Sequence, residues 1–455
     1  MAQQTDAVLF SKQITADDLR ANLSILASDA LEGRQTGTRG QKMAAAFIAH
    51  HFESLGLQGP IQGSYLQPFN LYSQKRGSIS VVHKGKIYAN GQEVVFYGDA
   101  ASGQNMGGNV VFVGKGSPEE VAQVSVAGKI AMFTSEGMSF SNLRKQSAAL
   151  REAGATLVMV CLLSSPQEFA DFASQMMNFS GGLSLTPSAS GQSRGGAFFV
   201  SEAFARALFG DALRSPKTKL DKVKPAPITY SIELIPETIK TENVLGFLEG
   251  TDKKDEVLVI TAHFDHIGLE PDGRPGDRIN NGADDDGSGT VAVMQLAQAF
   301  AEAKKAGKGP RRSMLFMTVS AEEVGLYGSQ YYTDIAPVFP LDKTVANLNI
   351  DMVGRKDEAH ATTPDYVYII GSDKLSSELH EINERNNQQQ TQLVFDYLYN
   401  DENHPTNLYK RSDHWNFAKH NIPIIFYFDG IHEDYHKPTD EVGKIDFDLL
   451  AKRTR

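Results

Sequence analysis

Glu256-Val257-Leu258-Val259-Ile260-Thr261-Ala262 is an apolar, β-branched run that breaks directly into His263-Phe264-Asp265. Its length and composition predict a strand buried on both faces, with an imidazole and a carboxylate at its end. Three similar runs follow: Ser313 to Val319, Val345 to Ile350 and Ile422 to Phe428. Between the first two lies Gly289 to Lys304, which reads as a helix with Val291, Met294, Leu296, Ala297 and Phe300 available to a core. Strands alternating with helices predict an α/β fold, a mainly parallel mixed sheet with helices on both faces. Such sheets gather their sites at the carboxyl ends of the strands.

Working outward, residues 17–57 read as helices. Leu19, Leu23 and Leu26 share one helical face, the Gly-rich Leu31 to Thr38 reads as a loop, and Met43 to Leu55 reads as a helix with Gly56 as its C-cap. From residue 79 the texture changes to short β-type runs such as Ile79 to Val82, Glu93 to Tyr97, Asn109 to Val113 and Lys129 to Phe133. A helix over Ser141 to Gly154 and a buried strand over Thr156 to Leu163 follow. Prolines between Pro225 and Pro236 close this stretch. The expected organisation is one domain over 1–78 and 237–455, interrupted by a small β/α domain over 79–236.

A length of 455 residues agrees with two or three domains. Lys plus Arg total 44 against 55 Asp plus Glu, and the formal charge of -11 argues against a nucleic-acid partner. No apolar stretch approaches the ~20 residues that cross a bilayer. The single cysteine, Cys161, lies in the apolar run Leu157 to Leu163 and reads as a buried thiol, not a nucleophile. Met1 to Ala7 has neither a basic nor an apolar region and looks like a mature end behind an added Met, so a secreted or periplasmic protein with its signal peptide removed is the expectation.

The chemistry-bearing residues fall where the strands end. His263 and Asp265 follow the first strand, Asp284-Asp285-Asp286 precede the helix, Glu322-Glu323 follow the second strand, Asp351 follows the third, and Asp434-Tyr435-His436 lie beyond the fourth. Each cluster alone is more often a surface or core pair, a solvated loop or a helix N-terminus. Together, carboxylates at that density repel one another unless cations neutralise them. Imidazole and carboxylate donors suit Zn²⁺, and also Mn²⁺ or Co²⁺. Two His and three carboxylates, one of them bridging, meet the needs of two ions ~3.5–4 Å apart. One further carboxylate is then left for general-base work.

In this order AHFDH, NNGADDDGSG, VSAEEVGLYGS, LNIDMVG and EDYHKPTDE resemble the motifs of the co-catalytic di-zinc aminopeptidases. That superfamily also includes glutamate carboxypeptidase II and the transferrin receptor. Leu31 to Leu57 is similar to the family's N-terminal segment. Val126 to Ala131, followed by Arg151 to Ala155, resembles a protease-associated domain. The resemblance implies the zinc exopeptidase fold and two Zn²⁺ ions. One would be held by His263, Asp351 and bridging Asp285, the other by Glu323, His436 and the same Asp285. It implies a cis peptide between Asp285 and Asp286, Asp265 as the carboxylate that orients His263, Glu322 as general base, and Tyr435 as donor to the developing oxyanion. Phe447 to Arg455 begins the helix that closes the family's domain.

The activity this implies is removal of N-terminal residues from peptides. A carboxypeptidase of the glutamate carboxypeptidase type is the alternative and needs arginines facing substrate carboxylates, for which Arg355 and Arg411 are the nearest candidates. A single-zinc glutaminyl cyclase fits the full ligand set less well. A non-catalytic binding protein is the alternative from another class. Met352, Phe395, Tyr397 and Tyr399 are candidates to line the specificity pocket. Oligomeric state is not legible in the sequence.

Overall fold

A computed structural model of the chain describes residues 2–98, 102–136, 140–178, 183, 185, 196–215, 218–270, 276–363 and 365–455. Met1, the first residue of the segment read above as a mature end, lies outside them. The chain divides into two compact units. One comprises Met1–Leu71 and Ile239–Arg455, and the other Tyr72–Thr238. The expected boundaries were 78 and 236. The first falls earlier because the strand Leu66–His83 runs through it, without the proline or glycine cluster that marks a boundary in sequence.

In the first unit the strands pair in the order Val394–Asp396, Tyr366–Ile370, Ile424–Phe428, Thr344–Ile350, Lys253–His263, Arg312–Val319 and the last part of Ala226–Leu248. The four from Ile424–Phe428 to Arg312–Val319 are mutually parallel, with Asn347 opposite both Val259 and Ile424, and Phe316 opposite Ile260. Antiparallel partners flank them. The parallel strands alternate no polar face, since their final residues are buried on both sides.

Helices cover both faces, because each face of such a sheet must lose its apolar surface to a neighbour. On one, Ala16–Leu26 buries Leu19, Leu23 and Leu26. Helix Arg39–Ser54 brings Ile48 and Phe52 to the same core, Gly289–Lys305 brings Val291 and Met294, and Phe447–Thr454 brings Phe447 and Leu450. Each large apolar side chain so buried contributes roughly 1.5–3 kcal/mol. Thr15 starts the first of these helices by accepting from the Asp18 N–H at 3.1 Å. On the other face Tyr332, Phe417 and Ile422 pack on Val257, Val259, Leu315 and Met317.

The second unit is also α/β. The parallel strands Gly103–Phe112, Ile130–Ser135, Leu157–Leu162 and Ala197–Ser201 lie between the antiparallel Val94–Tyr97 and the start of Ala226–Leu248. Helices Phe140–Glu152, Pro166–Asn178 and Glu202–Phe209 accompany them. Cys161 is fully buried, and burial pushes its thiol up to about 12, which leaves it protonated and unreactive. Among the described residues no helix is long and apolar enough to cross a membrane.

Candidate metal centre

The parallel strands of the first unit end together, and the candidate residues sit on those ends. His263 closes Lys253–His263, Glu322 and Glu323 stand just past Arg312–Val319, and Asp351 directly follows Thr344–Ile350. Tyr435 and His436 lie beyond Ile424–Phe428, and Asp285 lies in the turn Ala283–Ser288 that opens helix Gly289–Lys305. Three residues without a glycine's freedom take a left-handed backbone here: Ala321 before the Glu pair (φ 63°), Met352 after Asp351 (φ 55°) and His436 itself (φ 55°). Such residues are uncommon and concentrate where a side chain must be aimed.

The carboxylate of Asp285 faces two ways. Its Oδ1 is 3.3 Å from His263 Nε2, and its Oδ2 is 3.0 Å from His436 Nε2. On the His263 side Asp351 Oδ1 stands 3.6 Å from the same Nε2, and Glu322 Oε2 3.9 Å. On the His436 side Glu323 Oε2 is 3.2 Å away. Ligand atoms of His263, Glu322 and Asp351 lie within 4.8 Å of one another, as do those of His263, Asp285 and Glu323.

Within the Asp triplet it is Asp285 that faces His263 and His436, because its two neighbours are engaged elsewhere. Asp286 spends its carboxylate on main-chain N–H groups, accepting from His263 (3.0 Å), Gly289 (2.8 Å) and Met352 (3.1 Å). Asp284 accepts from the Gly354 N–H at 2.7 Å. Asp440 in turn accepts from the N–H groups of Asp284 (3.0 Å) and Asp285 (3.1 Å). The peptide bond between Asp285 and Asp286 is cis.

Asp265 is fully buried, and its carboxylate accepts from the Thr36 hydroxyl (2.7 Å) and the Glu322 N–H (3.2 Å). The atom nearest His263 Nδ1 is the main-chain oxygen of Asp265 at 3.1 Å, with the carboxylate at 3.9 Å. The imidazole is therefore oriented by the backbone of Asp265, while the side chain steadies the loop that carries Glu322. Ser412 donates to Asp351 Oδ2 at 2.6 Å and leaves Oδ1 facing His263.

Burial holds the Glu322 carboxyl well above the ordinary carboxylate range and raises that of Asp265 to about 6. Burial would raise Asp285 as well, but contact with His263 and His436 reverses the shift to well below its usual value. Burial would lower His436, and its carboxylate neighbours Asp285 and Glu323 instead lift it to about 10. The carboxylates of the site thus call for positive charge beside them. His266 Nε2 is buried without a hydrogen-bond partner, and Asp285 Oδ2 and His436 Nε2 meet at 3.0 Å without the geometry of a hydrogen bond. Oxygen and imidazole-nitrogen donors converging in this way fit a divalent cation of the zinc class.

His266 was not anticipated. Its Nδ1 is 2.7 Å from Glu323 Oε1 and 3.8 Å from Asp285 Oδ2, so a third imidazole borders the His436 side. The available signal was its place three residues after His263 at a strand end. The Tyr435 ring stacks on His436 at 3.9 Å, with its hydroxyl raised by burial and by Asp285. Of the pocket candidates, Met352 lines the cleft beside His263 and Glu322, together with Leu408, Phe426, Phe428 and Ile431. Phe395 and Tyr397 instead pack against the core around Val367 and Ile369, and Tyr399 packs on Tyr368. Of the two arginines, Arg411 lines the cleft, whereas Arg355 is paired with Asp434 at 3.0 Å.

Residues 243–455 match Peptidase family M28. The match covers just under half of the chain. Aminopeptidase YwaD of Bacillus subtilis (strain 168) is 24% identical over 334 residues, covering 72% of this chain and 60% of that protein. Probable glutamate carboxypeptidase LAMP1 of Arabidopsis thaliana is 31% identical over 142 residues, 31% of this chain and 19% of that protein. The chain therefore spans less than two thirds of either relative. The structure of the aminopeptidase from Aneurinibacillus sp. strain AM-1 superposes with a TM-score of 0.58 at 18% identity, covering 98% of this chain and 93% of that one. BSAP, a zinc aminopeptidase from Bacillus subtilis, gives 0.55 at 18% identity over 97% and 93%. The chain shares the fold of these two structures.

Proposed function

We propose that this protein is a zinc-dependent aminopeptidase that hydrolyses the N-terminal peptide bond of peptides, with two Zn²⁺ ions per chain. The observation that carries the reading is the two-sided carboxylate of Asp285, one oxygen toward His263 and the other toward His436. His263, Asp351 and Asp285 would hold one ion, and Glu323, His436 and Asp285 the other. Similarity to YwaD and to the two aminopeptidase structures supports it.

When bound, zinc supplies Lewis acidity, lowering the pKa of water and polarising a carbonyl. The residues of the chain do the rest. Glu322 stands beside the ligands with a carboxyl raised by burial, which suits a group that takes a proton from the attacking water and returns it to the leaving amine. Tyr435 borders the same cleft and would donate its O–H to the developing oxyanion. The carboxylates near the ions would receive the free α-amine of the substrate.

Aminoacyl-p-nitroanilides and their N-blocked counterparts test this, before and after chelation and zinc restoration. Release from free-amine substrates only, lost on chelation and recovered with zinc, is the expected result. Cleavage of blocked substrates would move the reading to a carboxypeptidase, which the similarity to LAMP1 and Arg411 in the cleft favour. No turnover and no metal would end it. We read the insert as a protease-associated domain, from its Val126 to Ala131 and Arg151 to Ala155 pattern, and the protein as secreted or periplasmic. Cell fractionation checks the latter.

A further inference from the structure

Arg34 is 1% exposed, and no carboxylate among the described residues forms an ion pair with it. Its guanidinium donates to four main-chain oxygens: Nε to Phe264 (2.8 Å), Nη1 to Leu26 (2.6 Å) and Asn281 (2.7 Å), and Nη2 to Gly282 (2.9 Å). Phe264 adjoins His263, and Asn281 and Gly282 lead into the turn that carries Asp285. One side chain therefore ties together the two loops that present those ligands.

Its neighbours extend the tie. The main-chain oxygen of Arg34 accepts from the His266 N–H at 3.3 Å, and Thr36 donates to buried Asp265 at 2.7 Å. Gly33 lies so close that a Cβ there would stand 2.4 Å from the Asn280 oxygen. Arg34 itself holds a left-handed backbone, φ 50°. A buried cation is tolerated here because the acids Asp440, Asp265, Asp285 and Asp286 surround it at longer range and offset part of its desolvation.

We infer that the loop from Gly33 to Thr36, chiefly through Arg34, is a positioning device that sets the spacing of His263 and Asp285 and thereby the metal affinity of the site. The inference rests on the metal reading given above. Lysine keeps the charge of Arg34 but presents a point ammonium in place of a planar fork, and cannot reach four carbonyls at once. Losing a group that orients metal ligands typically weakens metal binding ~10–100-fold.

The test is zinc titration of the metal-free full chain, for the unaltered protein, Arg34→Lys and Thr36→Val, with Co²⁺ absorption spectra of each. Arg34→Lys is expected to fold, to bind the metal ~10–100-fold more weakly and to shift the Co²⁺ spectrum. Thr36→Val is expected to shift both in the same direction by less. A folded Arg34→Lys with unaltered affinity and spectrum overturns the inference, since a merely structural arginine would change only the unfolding midpoint. If Arg34→Lys does not fold, Thr36→Val decides by the same two readouts. An unaltered protein that takes up no zinc would overturn the metal reading instead, which is a distinct result.

Discussion

Both units of the chain place parallel strands in company with helices, yet their strand ends are occupied very differently. In the unit Tyr72–Thr238 the acid after strand Ala197–Ser201, Glu202, is bound by Arg214 at 2.5 Å and Arg206 at 2.9 Å. Its charge is settled within the protein. In the other unit Asp285, Glu323 and Asp351 meet at the strand ends with imidazoles as their partners and with no Lys or Arg ion pair among the described residues. The same architecture is neutralised by arginines in one case and left demanding cations in the other. Strand order sets where a site can form, and the residues on the loops decide whether it does.

The sharpest way to break this contrast is to remove the base while leaving the cation cradle whole. Glu322→Gln should lower kcat by ~10²–10⁴-fold. Bound zinc, measured by elemental analysis, should be unchanged. A variant that loses its metal in step with activity would make Glu322 a ligand. Next in size, Tyr435→Phe keeps the ring that stacks on His436 and removes only the hydroxyl. A fall in kcat of ~10²-fold with little change in KM is expected if the hydroxyl meets the oxyanion. Unchanged kcat would reduce Tyr435 to a packing residue.

Much of this contrast is legible in the residue pattern alone. The runs Glu256 to Ala262 and Ser313 to Val319 are apolar on both faces, and their shortness favours a strand covered on both sides over a buried helix, so the sheet and the position of its ends can be read from them. Less legible are strand Tyr366–Ile370 and helix Ser377–Asn386, which buries no residue fully and so carries no strong apolar stripe. Helices Pro166–Asn178 and Glu202–Phe209 of the insert are hidden behind the β-rich texture around them. In the site, the ligand candidates stand out because acids and imidazoles are costly at a buried strand end. Asp286, Asp440 and Arg34 do not, because their partners are main-chain groups that leave no mark on the residue pattern. His266 is hidden by its neighbour His263.

The contrast also predicts that the insert's core can be weakened without touching chemistry. Met132 is fully buried between strands of that unit. Met132→Ala should destabilise it by ~2–5 kcal/mol, in urea unfolding followed by circular dichroism. Turnover per folded molecule should stay as it was. A drop in kcat under conditions where the insert remains folded would show that the insert shapes the cleft.

The smallest effect tests the settled charge directly. The guanidinium of Arg214 hydrogen-bonds Glu202, and with help from Arg206 this outweighs burial and brings the Glu202 carboxyl down to about 2 from an ordinary 4.5. A carboxyl whose folded value lies below its unfolded one stabilises the fold above the unfolded value and loses that contribution as pH falls through the folded value. The window here is between pH 4.5 and about 2. Both arginines are substantially solvent-exposed, so screening limits the gain to ~1 kcal/mol or less at pH 7. Glu202→Gln should therefore be slightly less stable than the unaltered protein at neutral pH, and the two should converge as the pH is lowered through that window. A difference that persists at pH 2 would mean that the glutamate contributes by packing and not by charge. The account of how this unit neutralises its strand end would then need a different residue.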